Sequence, residues 1–134
     1  MVTRFAELHW GRVLIAGVFA ELLVFAIVFP TLYFLGQLAF LASILIASAV
    51  MPFVFALWVG RVLESRFVLH GALVGLVAAL LYMVVAWGQP QPLLYQVAHG
   101  LKVLGGMAGG WLVERHRIAR TGAALRNDNA AGTI

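Results

Sequence analysis

Four long apolar stretches, 13–35, 38–60, 67–87 and 93–113, limit what this chain can fold into more than any other feature of it. The hydrocarbon core of a bilayer is about 30 Å thick and takes roughly 20 helical residues to cross, so each stretch is long enough to span it. Period-two alternation is absent, which disfavours a β-barrel, and a lipid-embedded helix satisfies its own backbone. The expected fold is therefore all-α: an integral membrane four-helix bundle with four transmembrane helices over 1–118, followed by a polar cytoplasmic tail, 119–134. Composition agrees, since 63% hydrophobic and 10% charged residues lie far outside the range of soluble domains. The first stretch is too long for a signal-peptide core, carries Glu21 and lacks an A-x-A site, so it is expected to stay on the protein.

Charge asymmetry sets the expected threading. Arg4 and Arg12 precede the first span, Arg61 and Arg66 lie between the second and third, and Arg115, Arg117, Arg120 and Arg126 follow the fourth. The other connections, Gly36-Gln37 and the GQPQP segment from Gly88 to Pro92, carry no charge. The positive-inside rule then predicts a multi-pass protein of the cell (inner) membrane with both termini cytoplasmic. Trp10, Trp58 and Trp111 are expected at the cytoplasmic interface, and Tyr33, Trp87 and Tyr95 at the opposite one. The basic pI follows from this orientation and needs no nucleic-acid partner. Arg115, Arg117 and Arg120 can bind anionic lipid headgroups, at about 1 kcal/mol each.

Helices in lipid associate through small residues that let backbones approach. Gly105 with Gly109 and Gly106 with Gly110 are overlapping G-x-x-x-G pairs. Gly71 with Gly75 repeats the spacing in span 3, and Gly17 lies one turn before Glu21. Close packing within one bundle is the expected role, with an oligomer interface as the alternative. Pro52 removes a backbone donor and is expected to bend span 2.

Two ionisable residues lie deep in these spans. At 1.5 Å per residue, Glu21 lies about 12 Å from the cytoplasmic side and Lys102 about 16 Å. A lone charge at that depth costs about 2.5–3.5 kcal/mol on insertion scales, which predicts that the two pair. His99, Lys102, Gly106, Gly109 and Val113 share one stripe of span 4, so His99 can extend the pair into an ion path. A haem or chlorin metal at His99 is a remote alternative, because no second-ligand signature accompanies it; no cofactor is otherwise implied. Glu7, His9, Glu64, His70, Glu114 and His116 fall near the cytoplasmic surface at spacings that match no ligand motif, so no metal site is expected. The chain has no cysteine, which removes thiolate chemistry and cysteine-ligated metals.

With four short spans and the glutamate of "VFAELL", the chain is loosely similar to small multidrug resistance transporters. In that family the first-span glutamate binds protons and cationic drugs within a dimer, and the resemblance implies such a role for Glu21. Lys102 and a glycine-rich fourth span depart from the pattern. Two functions follow. The first is a non-enzymatic subunit or scaffold, docked to itself or to other membrane proteins and carrying a buried Glu21–Lys102 pair. The second is a small proton- or ion-coupled transporter using Glu21, His99 and Lys102.

Overall fold

The computed structural model of the chain describes residues 9–63 and 65–131. Among these residues there are three helices and no strand: α1 (Trp10–Gly60), α2 (Phe67–Val85) and α3 (Leu93–Ala131). Unbroken, the 51 residues of α1 would extend about 75 Å, more than twice the thickness of a bilayer's hydrocarbon core. Gly36 breaks it. Its φ of 84° and ψ of −179° lie in a region open essentially to glycine alone, and they divide α1 into arms 10–35 and 37–60. Val24 and Val28 of the first arm cluster with Ile44 and Ala47 of the second, so the arms lie side by side. Pro30 and Pro52 both keep helical backbone angles, and the break in α1 falls at Gly36. A proline deletes one hydrogen bond from a helix, whereas a glycine at positive φ redirects the whole chain.

Arg66, the residue before α2, has left-handed angles (φ 55°, ψ 41°), an uncommon conformation for a non-glycine residue, and it turns the chain into α2. Gly88, also at positive φ, and the two prolines of GQPQP make the return to α3. Each helix packs against the other two. The two arms, α2 and α3 thus run up and down in sequence. One end gathers 9–13, 59–70 and 110–117, and the other gathers 30–40 and 82–95. Trp10, Trp58 and Trp111 are exposed toward the first end, and Tyr33 and Trp87 toward the second.

The exterior is unlike that of a water-soluble domain. Glu21, Ser48, His70 and Lys102 are buried, while Phe19, Phe29, Ile46, Val84 and Leu104 are each more than half exposed. Two small apolar clusters flank the polar layer. Val13, Ala16, Val59, Leu63, Phe67 and Val74 fill the first end, and Val24, Val28, Ile44, Ala47 and Ala98 lie on the other side. By length and composition α1 and α2 can cross a membrane. The apolar half of α3 is diluted by Gln96, His99, Lys102 and several glycines. The polar segment after the fourth apolar stretch continues α3 as helix to Ala131. Propagating an existing helix avoids the nucleation penalty, and Arg, Ala and Leu in this segment favour it.

Candidate functional site

Glu21 and Lys102 come together from α1 and α3, 81 residues apart in sequence. Lys102 Nζ donates to Glu21 Oε1 at 2.8 Å and lies 2.6 Å from Oε2. The ammonium therefore lies close to both carboxylate oxygens. The two side chains are 0% and 2% exposed, which leaves each dependent on the other for its charge to be tolerated.

Glycines place the lysine. A Cβ on Gly75 of α2 would strike the carbonyl of Lys102, so the α3 backbone is held against α2 at the residue that carries the ammonium. The same close approach continues along the pair of helices: Gly71 and Gly106 each face the other's carbonyl, and Gly110 faces that of Phe67. Gly105 and Gly109, on the adjacent face of α3, meet the carbonyls of Ala49 and Phe53 in α1. Gly17 abuts Val74 and Val77 of α2, one turn before Glu21. All seven glycines singled out in the sequence therefore make contacts inside this single chain.

Beyond the ion pair, toward the 30–40 and 82–95 end, Phe25, Phe29, Phe40, Tyr82 and Tyr95 come in from the surrounding helices. A cavity of about 210 Å³ opens, with Glu21 and Lys102 on its wall beside His99, Ser48 and a set of aromatic rings. Tyr82 lies against three neighbours: its ring is 4.9 Å from that of His99, 5.7 Å from that of Tyr95 and 6.0 Å from that of Phe25. Lys102 Nζ sits 5.0 Å from the Tyr82 centroid, within cation–π range. Both ring nitrogens of His99 are buried without a hydrogen-bond partner. No group of three His, Cys, Asp or Glu residues that could hold a metal occurs among the described residues.

Tyr82, Phe25 and Ser48 were not expected at the site from sequence, and Tyr95 was expected in an interfacial belt. The stripe through His99 and Lys102 extends back four residues to Tyr95, a spacing that signals a shared face. His70, expected near the surface, is 2% exposed. Its Nδ1 is 2.9 Å from the carbonyl of Arg66, which makes Nδ1 the protonated nitrogen, since a carbonyl only accepts. His9 faces it with ring centroids 6.4 Å apart. Glu114 and His116 are exposed. Arg4, Glu7 and Glu64 lie outside the described residues, as do the side chains of Arg126 and Asp128.

The arginines of α3 gather at the first end. Arg115 stacks on Trp111 and Arg117 on Phe67, each at 5.0 Å, and Arg117 Nη2 donates to the carbonyl of Arg61 at 3.3 Å. Arg61, Arg117 and Arg120 with His116 rim a groove whose floor is Leu57, Leu112 and Val113. Comparison of the chain with protein-family models, curated proteins and solved structures found no match.

Proposed function

We propose that this chain is a small non-enzymatic integral membrane protein, a four-helix bundle crossing the bilayer four times with both termini cytoplasmic, and that it serves as a subunit or scaffold of a larger or homo-oligomeric membrane complex. The many large apolar side chains on the exterior, with Glu21 and Lys102 buried, support the membrane placement. The observation that carries the structural role is the direct Glu21–Lys102 contact. A carboxylate held by an ammonium at this distance presents no net charge, so the pair ties α1 to α3 without demanding a mobile ion. Because the glycine faces are used within the chain, association with partners falls to the exposed apolar belt, where Phe19, Leu22 and Leu23 of α1 form one outward face. The arginine-rimmed groove suits the headgroup level of an anionic leaflet.

Threading is tested with single cysteines, which the chain otherwise lacks, at Gln89 and Thr121. Both positions are exposed. An impermeant maleimide is expected to label them from opposite sides of sealed vesicles, and labelling of both from one side would overturn the four-span reading. The subunit role is tested by mild isolation from native membranes. The chain is expected to arrive with stoichiometric partners or as a defined oligomer; arrival as a monomer alone counts against it.

A second reading, a proton- or ion-coupled transporter, is favoured by one observation. The three residues such a protein would use, Glu21, His99 and Lys102, border a common cavity. Proteoliposomes carrying a pH-sensitive dye separate the readings: proton flux abolished by Glu21→Gln in a normally folded protein supports transport.

A further inference from the structure

The geometry points to the cavity beside the Glu21–Lys102 pair as a binding site for a neutral, lipid-soluble ring of the quinone or quinol class. The inference rests on the membrane placement proposed above and names the ligand of the site described there.

Four features select that class. The first is size. A dry cavity of about 150 Å³ holds benzene, so about 210 Å³ holds one six-membered ring with small substituents. Shape is the second: the Tyr82 and Tyr95 rings are nearly parallel, 22° apart, and Phe25 is tilted 32° from Tyr82, so the wall offers aromatic faces to a planar guest. Charge is the third. The ion pair is neutral as a unit, and a guest with net charge would enter a mostly apolar chamber without a counter-ion.

Hydrogen bonding is the fourth feature, and it discriminates most. A neutral imidazole has one N–H and one lone pair, and in His99 both nitrogens are buried and unpartnered. Left empty, the site carries polar atoms whose desolvation nothing offsets. A quinone carbonyl accepts from the N–H, whereas a quinol hydroxyl donates to the lone pair, so the one side chain answers either oxidation state. Glu21 Oε2, which already lies 2.6 Å from the Lys102 ammonium, has a further lone pair that can accept from a quinol hydroxyl on the same wall. A purely hydrocarbon guest would satisfy none of these atoms.

Access fits a lipid-borne ligand. The cavity is walled by both arms of α1, by α2 and by α3, and its lining includes Phe29, which is 63% exposed. The glycine contacts between α2 and α3 close the opposite direction. A ring can thus enter from the apolar exterior or the 30–40 end and stop at the ion pair.

The test uses the full chain in lipid nanodiscs, titrated with 2,3-dimethoxy-5-methyl-1,4-benzoquinone and, separately, with toluene. Saturable quinone binding that raises the melting temperature is expected, with toluene weaker by at least roughly tenfold. His99→Phe keeps a ring of similar size but removes both nitrogens. It is expected to weaken quinone binding by roughly three- to tenfold, the loss of one neutral hydrogen bond, and to leave toluene binding unchanged. A photoreactive azidoquinone on the unmodified protein is expected to crosslink to peptides containing Tyr82 or Tyr95, a readout that needs no variant to fold. Absence of saturable binding, toluene binding as tight as the quinone, or crosslinks elsewhere would each overturn the inference. The cysteine-labelling experiment reports on the membrane placement independently. Failure of quinone binding with four-span labelling intact removes the ligand alone, and failure of the labelling removes the placement beneath it.

Discussion

Glu21→Gln and Lys102→Met are each expected to destabilise the protein by about 3–5 kcal/mol, and the double variant to recover most of that loss. The reason is the exposure of the two side chains, 0% and 2%, with a single 2.8 Å hydrogen bond and one further close contact joining them. Removing either partner leaves a buried charge with no counter-ion. Removing both leaves two neutral side chains of nearly unchanged volume. Thermal unfolding in a fixed detergent, read for the four proteins of the cycle, yields the coupling energy directly. A coupling near zero, with additive single effects, would mean that each group is stabilised by something other than its partner. Single variants that melt like the parent but lose a proton-dependent flux would instead favour the transporter reading, since intramembrane ionisable residues also mark ion paths.

Glu21 and Lys102 were legible in the sequence because burial of charge is expensive enough to force pairing, and counting along two helices put them within a lysine's reach of the same depth. Six of the seven glycines were legible for a similar reason: small residues spaced four apart on a helix let backbones approach. What they approach was not legible. Whether Gly106 meets a second copy or another helix of its own chain depends on helix order around the bundle, which no local pattern encodes. In the structure Gly106 meets Gly71. The break at Gly36 was visible as an uncharged connection, yet its sharpness follows from one backbone conformation that sequence does not display. The cavity was the least legible feature. It is lined by residues from both arms of α1, from α2 and from α3, and Phe25, Tyr82 and Tyr95, each taken alone, read as ordinary apolar or interfacial side chains. His70 was misplaced on a related ground. Its position near a helix start suggested solvent, but the carbonyl of Arg66 offers its Nδ1 a partner within the fold.

Gly106→Leu is expected to be among the most damaging single substitutions available in this chain. The atom it adds first, Cβ, already meets the carbonyl carbon and oxygen of Gly71 and the nitrogen of Gly75, all of them backbone. Ordinary overpacking is relieved by side chains that rotate, at about 1–3 kcal/mol; here two helix axes must separate, so the loss should exceed that range. Separation at Gly106 also bears on the charge pair, because Gly75, which touches Gly106, is the residue that holds the Lys102 carbonyl. Gly100→Leu is the control. Gly100 lies on α3 with nothing within 4 Å of a built Cβ, so the same change there should stabilise the helix by up to about 1 kcal/mol through propensity alone. Detergent melting of the two variants, with their oligomeric state, makes the comparison independent of leucine itself. Equal tolerance of both substitutions would mean that α2 and α3 do not touch at Gly71 and Gly106. Unchanged melting with altered oligomeric state at Gly106 would move that contact from the inside of one chain to the boundary between two.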